Sequence, residues 1–207
     1  MLKSFPPGVH NTLFWLPELG YGYHTREPID YGGDYWDEYR RRDASPMGEK
    51  LTLARQSFSR GFWEGEIVDI GIGGGRFVVD ANALGYDINP QAIDWLRAHG
   101  RFRDPYTSPV DAITCWDSLE HIPDPDALLI QVRRWLFVSL PIFEDAEHCL
   151  NSRHYKPGEH IWYFTHGGII QWCADRGFEF VASTDVESVI GRDGIRSYAF
   201  RRVIDEG

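Results

Sequence analysis

Apolar and polar positions change their spacing along the chain, and from Glu66 onward short apolar runs alternate with stretches of helical periodicity. This alternation is typical of βαβ units, in which buried strands are joined by helices that pack on the sheet. The apolar runs predict six strands, at residues 67–71, 85–88, 112–116, 136–140, 179–183 and 197–203. The periodic stretches predict helices at residues 91–98, 126–134 and 168–176. We therefore expect an α/β fold with a doubly wound, mostly parallel sheet.

The last two predicted strands are too close together for a helix to join them, since only residues 185–195 lie between. A parallel pair needs a crossover of about a dozen residues or more, so this short connection favours antiparallel pairing. We expect one antiparallel strand near the C-terminus. In open sheets of this kind, ligands bind beyond the carboxyl ends of the strands, which is where functional residues are expected.

The first sixty residues have a different pattern, in which no strand is evident. Residues 15–39 are rich in glycine, proline and aromatic residues. They precede a helix predicted at residues 46–59, with Ser45 as its N-cap and Pro46 in its first turn. We therefore divide the chain into an aromatic-rich lid and helix, residues 1–60, and a ligand-binding domain, residues 61–207.

Composition and charge narrow the classes of function. The 207 residues carry a formal net charge of −10, which would repel a phosphate backbone, so a nucleic-acid substrate is disfavoured. The three cysteines, Cys115, Cys149 and Cys173, are odd in number and far apart, which suits a reducing cytoplasm. No apolar run is long enough to span a bilayer, and the first residues lack the apolar core of a signal peptide. We expect a cytoplasmic protein without a membrane partner.

The strongest chemical signal is a glycine-rich turn, V-D-I-G-I-G-G-G-R at residues 68–76, which follows a predicted strand and opens a short helix. Glycine lets a ligand approach the backbone and permits the positive φ angles of a tight turn. Such a loop suits a pyrophosphate or the amino-acid end of S-adenosylmethionine. The dinucleotide pattern G-x-G-x-x-G fails in both frames, because Arg76 or Val78 stands where its last glycine belongs.

The pattern that is present, D-x-G-x-G-x-G, resembles the first motif of class I S-adenosylmethionine-dependent methyltransferases. Asp87 ends the next predicted strand, where a carboxylate can accept hydrogen bonds from two ribose hydroxyls, and this matches the family's second motif. Residues 110–125 resemble the fourth strand and following loop of small-molecule methyltransferases. Residues 159–165, followed by a helix and residues 177–179, resemble an ending common among them. The resemblance spans residues 66–203 and implies a sheet of the seven-stranded, Rossmann-like type.

This resemblance implies a set of cofactor-binding residues at the carboxyl edge of the sheet. They are Asp69, Gly71, Ile72, Gly73, Gly75, Asp87, Ile88, Asp104, Trp116, Asp117 and Ser118. Asp104 is the candidate for the adenine amino group, although a surface turn at Asp104 and Pro105 explains this residue equally well. The helix after the glycine loop is confined to residues 76–82, which is shorter than is usual in the family.

The acceptor side offers fewer signals. His121 and His160 are candidates for a general base because imidazole titrates near neutral pH, and the alternative for each is a structural hydrogen bond. The spacing of His148, His154 and His160 does not match a metal motif, so we expect no metal ion. An aromatic lid over the cofactor is predicted from Tyr23, Tyr31, Tyr35 and Trp36, with a simple hydrophobic cover as the alternative.

The sequence thus predicts transfer of a methyl group from S-adenosylmethionine to an O, N or C atom of a small or medium-sized molecule. Three alternatives stay open. A nucleotide-dependent oxidoreductase would share the sheet, a non-catalytic scaffold would keep the fold and the cofactor, and a nucleic-acid methyltransferase is disfavoured by charge.

Overall fold

The computed structural model describes residues 3–4, 13–24 and 34–203. Its strands are β1 (Lys3–Ser4), β2 (Leu13–Leu16), β3 (Tyr21–His24), β4 (Val68–Ile70), β5 (Leu84–Tyr86), β6 (Val110–Trp116), β7 (Val132–Phe143), β8 (Trp162–Thr165), β9 (Phe178–Thr184) and β10 (Ile195–Arg202). Its α-helices are α1 (Asp34–Asp43), α2 (Pro46–Arg60), α3 (Arg76–Asp80), α4 (Pro90–Ala98), α5 (Pro125–Leu129), α6 (Ala146–Asn151), α7 (His166–Ala174) and α8 (Val186–Val189), and Leu119–His121 form a 3₁₀ helix.

The central sheet has the strand order β5-β4-β6-β7-β10-β9. Strands β5, β4, β6 and β7 pair in parallel, while β10 runs antiparallel to both β7 and β9. This is the predicted α/β fold with one reversed strand near the C-terminus. A sheet of the expected seven-stranded type would have one more strand beside β5. In its place, a single β-bridge joins Gly85 of β5 to Phe102.

Strand β7 joins this sheet to a smaller antiparallel region. Its first ten residues pair with β6 and β10, and its last two, Ile142 and Phe143, pair with β8. Strand β8 then pairs with β3, β3 with β2, and β2 with β1. The extension therefore begins at the carboxyl end of β7, beside the edge where ligands are expected.

Two local predictions were wrong. Strands do occur before residue 62, because β3 pairs with the distant β8, a partner that local patterning cannot identify. The helix predicted at residues 126–134 ends at Leu129, and Val132 already pairs with Val110 of β6. Here pairing with a neighbouring strand overrides a short stretch of helical periodicity.

The first crossover is as short as the sequence predicts, with α3 only five residues long. Close packing beneath it depends on Gly85 of β5, where an added Cβ would lie 2.7 Å from Ile72 Cγ2 and 2.8 Å from Leu96 Cδ2. Both side chains are buried. The small residue lets α3 and α4 pack close to the sheet and keeps the glycine loop next to the end of β5.

Within the described residues, the helices are too short or too polar to cross a lipid bilayer.

Candidate functional site

The glycine loop leaves β4 through three residues with positive φ angles: Gly71 at +72°, Gly73 at +56° and Gly75 at +86°. These angles are costly for residues that carry a Cβ, so the turn depends on glycine. The Gly71 amide donates a 2.8 Å hydrogen bond to the Tyr86 carbonyl, which holds the loop beside the end of β5. An added Cβ at Gly71 would lie 2.9 Å from Ser118 Cβ, so the loop also fits closely against the segment after β6.

Asp87 connects the end of β5 to this loop. One carboxylate oxygen accepts the Ile72 amide at 2.9 Å, and the other accepts the Asn89 amide at 2.8 Å. Burial raises the pKa of Asp87, and these backbone hydrogen bonds act in the opposite direction. A carboxylate has about four lone-pair sites, so each oxygen can still accept a ribose hydroxyl. The neighbouring Ile88 side chain is 65% exposed at the same edge.

Asp69 has a different environment from Asp87, although both belong to the recognised motifs. Its side chain is buried within β4 and accepts a 2.6 Å hydrogen bond from the Thr114 hydroxyl of β6. Burial raises the pKa of Asp69 to about 7, while the hydrogen bond from Thr114 opposes the rise. Asp69 therefore joins two parallel strands beneath the glycine loop, and its contact with a cofactor stays a prediction.

The three predicted residues at and just after the end of β6 make three kinds of contact. The Ser118 hydroxyl donates to the Ile70 carbonyl at 2.6 Å, next to the glycine loop. Trp116 is buried and packs edge to face on Phe77, with ring centroids 5.5 Å apart. Asp117 has a φ angle of +56°, and its carboxylate forms ion pairs with two arginines, Arg55 and Arg192.

These arginines belong to a buried ion network that the sequence analysis missed. Arg55 of α2 and Arg192 bind both Asp117 and Glu187 of α8, at distances between 2.5 and 2.9 Å. The Glu187 side chain is fully buried. Burial alone would raise the pKa of Asp117, but the Arg192 and Arg55 guanidiniums hold it below its ordinary value. Two positive and two negative groups thus fix the turn after β6.

The two candidate histidines do come together. The rings of His121 and His160 lie edge to face with centroids 4.7 Å apart, at the end of the 3₁₀ helix and just before β8. Burial lowers the pKa of His121 and lowers that of His160 to about 2, so both rings are neutral at neutral pH. Burial also raises the pKa of the adjacent Glu120 to about 8. The sequence analysis did not single out Glu120, although it directly precedes a candidate histidine.

Part of the predicted lid covers the glycine loop. An added Cβ at Gly74 would lie 2.7 Å from Arg40 Cα, so α1 packs directly on the turn. Trp36 of α1 is buried against Trp95, and Tyr35 lies beside Tyr39 with ring centroids 4.4 Å apart.

Tyr23, another predicted lid residue, lies in a different part of the structure. Tyr23 lies on β3, where its ring contacts Phe14 and Trp162 at centroid distances of 5.7 Å each. Tyr31 falls outside the described residues. Tyr23 is thus separated from Tyr35 and Trp36, and of these three residues only those of α1 belong to the helix that packs on the glycine loop.

Asp104 forms the turn that was its alternative interpretation. Its carboxylate accepts the Tyr106 amide at 2.8 Å, and the Thr107 hydroxyl donates to its carbonyl at 3.0 Å. This turn follows the bridge between Gly85 and Phe102. A contact between Asp104 and an adenine ring stays a prediction.

An open groove of about 670 Å³ lies between α1, the start of α2 and residues 191–192. Arg41, Arg42 and Arg192 line it together with acidic and apolar side chains, and none of the predicted cofactor residues does. The predicted cofactor residues at the glycine loop and Asp87 therefore lie outside this groove.

Three solved structures share this fold at low sequence identity. Magnesium protoporphyrin IX methyltransferase from Synechocystis PCC 6803, with bound SAH, is 16% identical, with a TM-score of 0.58 over 83% of this chain and 96% of that one. A possible histamine N-methyltransferase from Thermotoga maritima is 18% identical, with a TM-score of 0.58 over 80% and 95%. A putative methyltransferase in complex with the Trm112 activator from Haloferax volcanii is 13% identical, with a TM-score of 0.62 over 84% and 98%.

No curated protein sequence matches the chain. A family model described as a methyltransferase domain, however, matches residues 36–183. The match begins in α1, includes the glycine loop, Asp87 and the histidine pair, and ends in β9. Since it covers well over half of the residues, the chain belongs to the methyltransferase family.

Proposed function

We propose that this methyltransferase transfers a methyl group from S-adenosylmethionine to an O, N or C atom of a small or medium-sized molecule. The observation that carries the proposal is the juxtaposition of the three positive-φ glycines with Asp87. The glycines give the loop the positive φ angles that its tight turn beside the end of β5 requires, and the half-buried Asp87 carboxylate there accepts hydrogen bonds from the ribose of the cofactor. When bound, the cofactor supplies the electrophilic methyl group.

The chain's own groups align the reactants and keep water out. The Asp87 carboxylate orients the ribose, and α1 covers the glycine loop, with Tyr35 and Trp36 as its lid residues. Methyl transfer is an in-line displacement, so positioning supplies much of the rate. His121 and His160 lie on the same edge of the sheet, and burial lowers the pKa of both. His121 is the stronger base of the two and can take a proton from an acidic acceptor group, whereas a pKa of about 2 makes His160 a weak base that accepts a hydrogen bond instead.

The proposal is tested first by the mass of small molecules released from the purified protein, which should include S-adenosylmethionine or S-adenosylhomocysteine. Calorimetry with S-adenosylhomocysteine then compares two variants. Asp87→Ala should weaken binding by about 1.5–3 kcal/mol, because it removes hydrogen bonds to a charged acceptor. Asp94→Ala removes an exposed carboxylate from the neighbouring α4 and should leave the affinity unchanged. Unchanged affinity in Asp87→Ala would contradict the assignment, and tight NAD binding would favour the oxidoreductase alternative.

The same proposal places the enzyme in the cytoplasm with a small-molecule substrate. Its three cysteines are free and buried in the described structure, as expected in a reducing compartment. The net charge of −10 disfavours nucleic acid as the acceptor. Saturable, salt-dependent binding of RNA or DNA at physiological ionic strength would contradict this part of the proposal.

A further inference from the structure

The end of β6 and the start of β8 bring three potential metal ligands together. Glu120, His121 and His160 each offer one ligand atom, and these atoms all lie within 4.8 Å of one another. Glu120 and His121 belong to the 3₁₀ helix after β6, and His160 comes from the segment before β8. This segment is separated in sequence from the 3₁₀ helix by about forty residues.

Two of the three side chains carry buried polar atoms that the surrounding protein does not satisfy. Glu120 is 1% exposed and His160 is 5% exposed. Within the described part of the chain, Glu120 Oε2 and His160 Nδ1 have no hydrogen-bond partner. Leaving buried polar atoms unsatisfied is costly, so native proteins seldom do so without a ligand, a bound water or a functional reason.

The backbone holds the cluster in place. The Ile161 amide donates to the Glu120 carbonyl at 2.7 Å, which fastens the segment before β8 to the 3₁₀ helix. His121 Nδ1 lies 2.8 Å from the Glu159 carbonyl, and because a carbonyl can only accept, Nδ1 is the donor. The lone pair of His121 is therefore on Nε2. A backbone carbonyl that fixes the ring in this way is the usual outer partner of a metal-binding histidine.

The nearby charges are mixed, because the Asp117 carboxylate near the cluster is itself paired with Arg55 and Arg192. The Asp117 carboxylate is close enough to influence the pKa values of all three groups. The positive Lys156 acts in the opposite direction on the two histidines, but it is half-exposed and forms an ion pair with Glu159 at 3.0 Å. Burying the ionised Glu120 carboxylate is costly, and a cation bound to it would offset this cost by neutralising its charge.

We propose that Glu120, His121 and His160 form a binding site for one divalent transition-metal ion of the zinc and cobalt type. Two imidazoles and a carboxylate are a common ligand set for such ions and leave coordination positions open. Ligands about 2.1 Å from an ion at tetrahedral angles lie about 3.4 Å apart, so the most widely separated ligand atoms of the cluster have to approach by up to about 1.4 Å.

The site lies on the acceptor side of the sheet edge, after the strand that carries Ser118 next to the glycine loop. A ring nitrogen that binds a cation cannot also accept a proton. Metal binding therefore replaces the general-base role of His121, while the cofactor-binding part of the proposed function is unaffected.

The test is a Co²⁺ titration of full-length protein that has been freed of metal with a chelator, in the absence of any cofactor. Visible absorption bands of protein-bound Co²⁺ should grow to one equivalent, and Zn²⁺ should displace the Co²⁺. His160→Gln and Glu120→Gln should each weaken binding by about a hundredfold or more, since losing even an outer partner of a metal ligand costs about 10- to 100-fold. Zn²⁺ should raise the melting temperature of the wild type but not that of these variants.

His99→Gln is the matched control, because it removes an exposed histidine at the end of α4 and should leave binding unchanged. If circular dichroism shows that His160→Gln does not fold, the same Co²⁺ titration is made with His121→Gln, because His121 is the less buried of the two histidines. The proposal is wrong if the wild type binds no stoichiometric Co²⁺, or if binding survives in the folded cluster variants. Because no cofactor is present, either result is independent of whether S-adenosylmethionine binds.

Discussion

At the scale of single residues, the site depends on positions where a side chain is absent or buried. Gly71 combines a positive φ angle with close contact to Ser118, so glycine serves both the turn and the packing. Asp69 and Asp87 belong to neighbouring strands of one sheet, yet Asp69 is buried against Thr114 whereas Asp87 is half-buried beside the loop. Two similar carboxylates thus acquire different roles from their surroundings.

Replacing Gly71 with alanine should lower the free energy of unfolding by about 2–4 kcal/mol, because the new Cβ adds a clash with Ser118 to the cost of the positive φ angle. Gly100→Ala is the control: this glycine also has a positive φ, at +63°, but an added Cβ meets no atom within 4 Å. Its cost should be about 1 kcal/mol. Urea denaturation measures both. If both variants lose the same free energy of unfolding, the contact with Ser118 adds nothing to the cost of Gly71→Ala.

The raised pKa of Asp69, about 7, makes a pH-dependent contribution to stability. Between its ordinary value of 3.8 and about 7, the folded protein keeps this proton and the unfolded chain releases it. The stabilisation that comes from this bound proton is therefore fully present below a pH of 3.8 and is lost as the pH rises through about 7. Across this range the stability of the wild type should fall relative to Asp69→Asn, by up to about 1.4 kcal/mol per pH unit.

Denaturant unfolding of both proteins from about pH 4 to about pH 8 checks this prediction. This range covers the interval between the ordinary pKa of Asp69, 3.8, and its raised value of about 7. The lowered pKa of His160 produces the opposite slope at acidic pH, but it does so in both proteins and cancels in the comparison. Parallel stability curves for wild type and Asp69→Asn would contradict the assignment of a raised pKa to Asp69.

At the scale of elements, the ion network joins α2, α8 and the turn after β6. Arg55 of α2 reaches Glu187 of α8 and Asp117, while Arg192 binds the same two carboxylates from the loop before β10. These contacts hold the 3₁₀ helix and its histidine at a defined place, because Asp117 and Glu120 are three residues apart. The network therefore fixes the turn that leads from β6 into the 3₁₀ helix.

Arg55→Met should destabilise the protein by about 3–5 kcal/mol, since it leaves more buried negative than positive charge around Glu187. Arg201→Met is the matched control, because Arg201 pairs with Glu179 at 2.6 Å but both side chains are about half exposed. Exposed pairs contribute about 0–1 kcal/mol. Chemical denaturation compares the two variants, and similar losses would mean that the buried network adds no more than a surface pair.

At the scale of the whole molecule, a central α/β sheet carries the binding loop, and two separate parts of the chain surround its carboxyl edge. Helix α1 lies on the glycine loop, and the antiparallel extension built on β8 brings His160 to the end of β6. The glycine loop and His121 are thus contacted by different segments of the chain. Ligand binding at the loop should therefore affect α1 more than the distant α7.

Hydrogen exchange with and without S-adenosylhomocysteine tests this arrangement. Amides of α1 and of the glycine loop, residues 71–76, should exchange more slowly when the nucleoside is present, because it restrains both sides of the crevice. Amides of α7, which packs between β8 and β9, serve as the internal control. Protection of the loop without any change in α1 would contradict the role of α1 as a lid.

The sequence by itself determined the parts of this protein that are local. The glycine loop, Asp87 at the end of the next strand, the short α3 and the reversed last strand follow from turn chemistry, strand patterning and connection lengths, all of which act over a few neighbouring residues. These features were sufficient to predict the fold class and the family. The length of α5 was predicted wrongly because a strand pairing prevailed over a weak local pattern.

Only the tertiary structure decided which distant groups meet. Local patterning gave no sign of β2 and β3, because β3 is held by pairing with the distant β8 and β2 pairs with β3. The Arg55 network and the Glu120 cluster each join residues far apart in the chain, and the histidine spacing even argued against a metal site. Burial changes the chemical properties of the groups that are brought together. Removing water raises or lowers their pKa values and makes an unsatisfied polar atom costly.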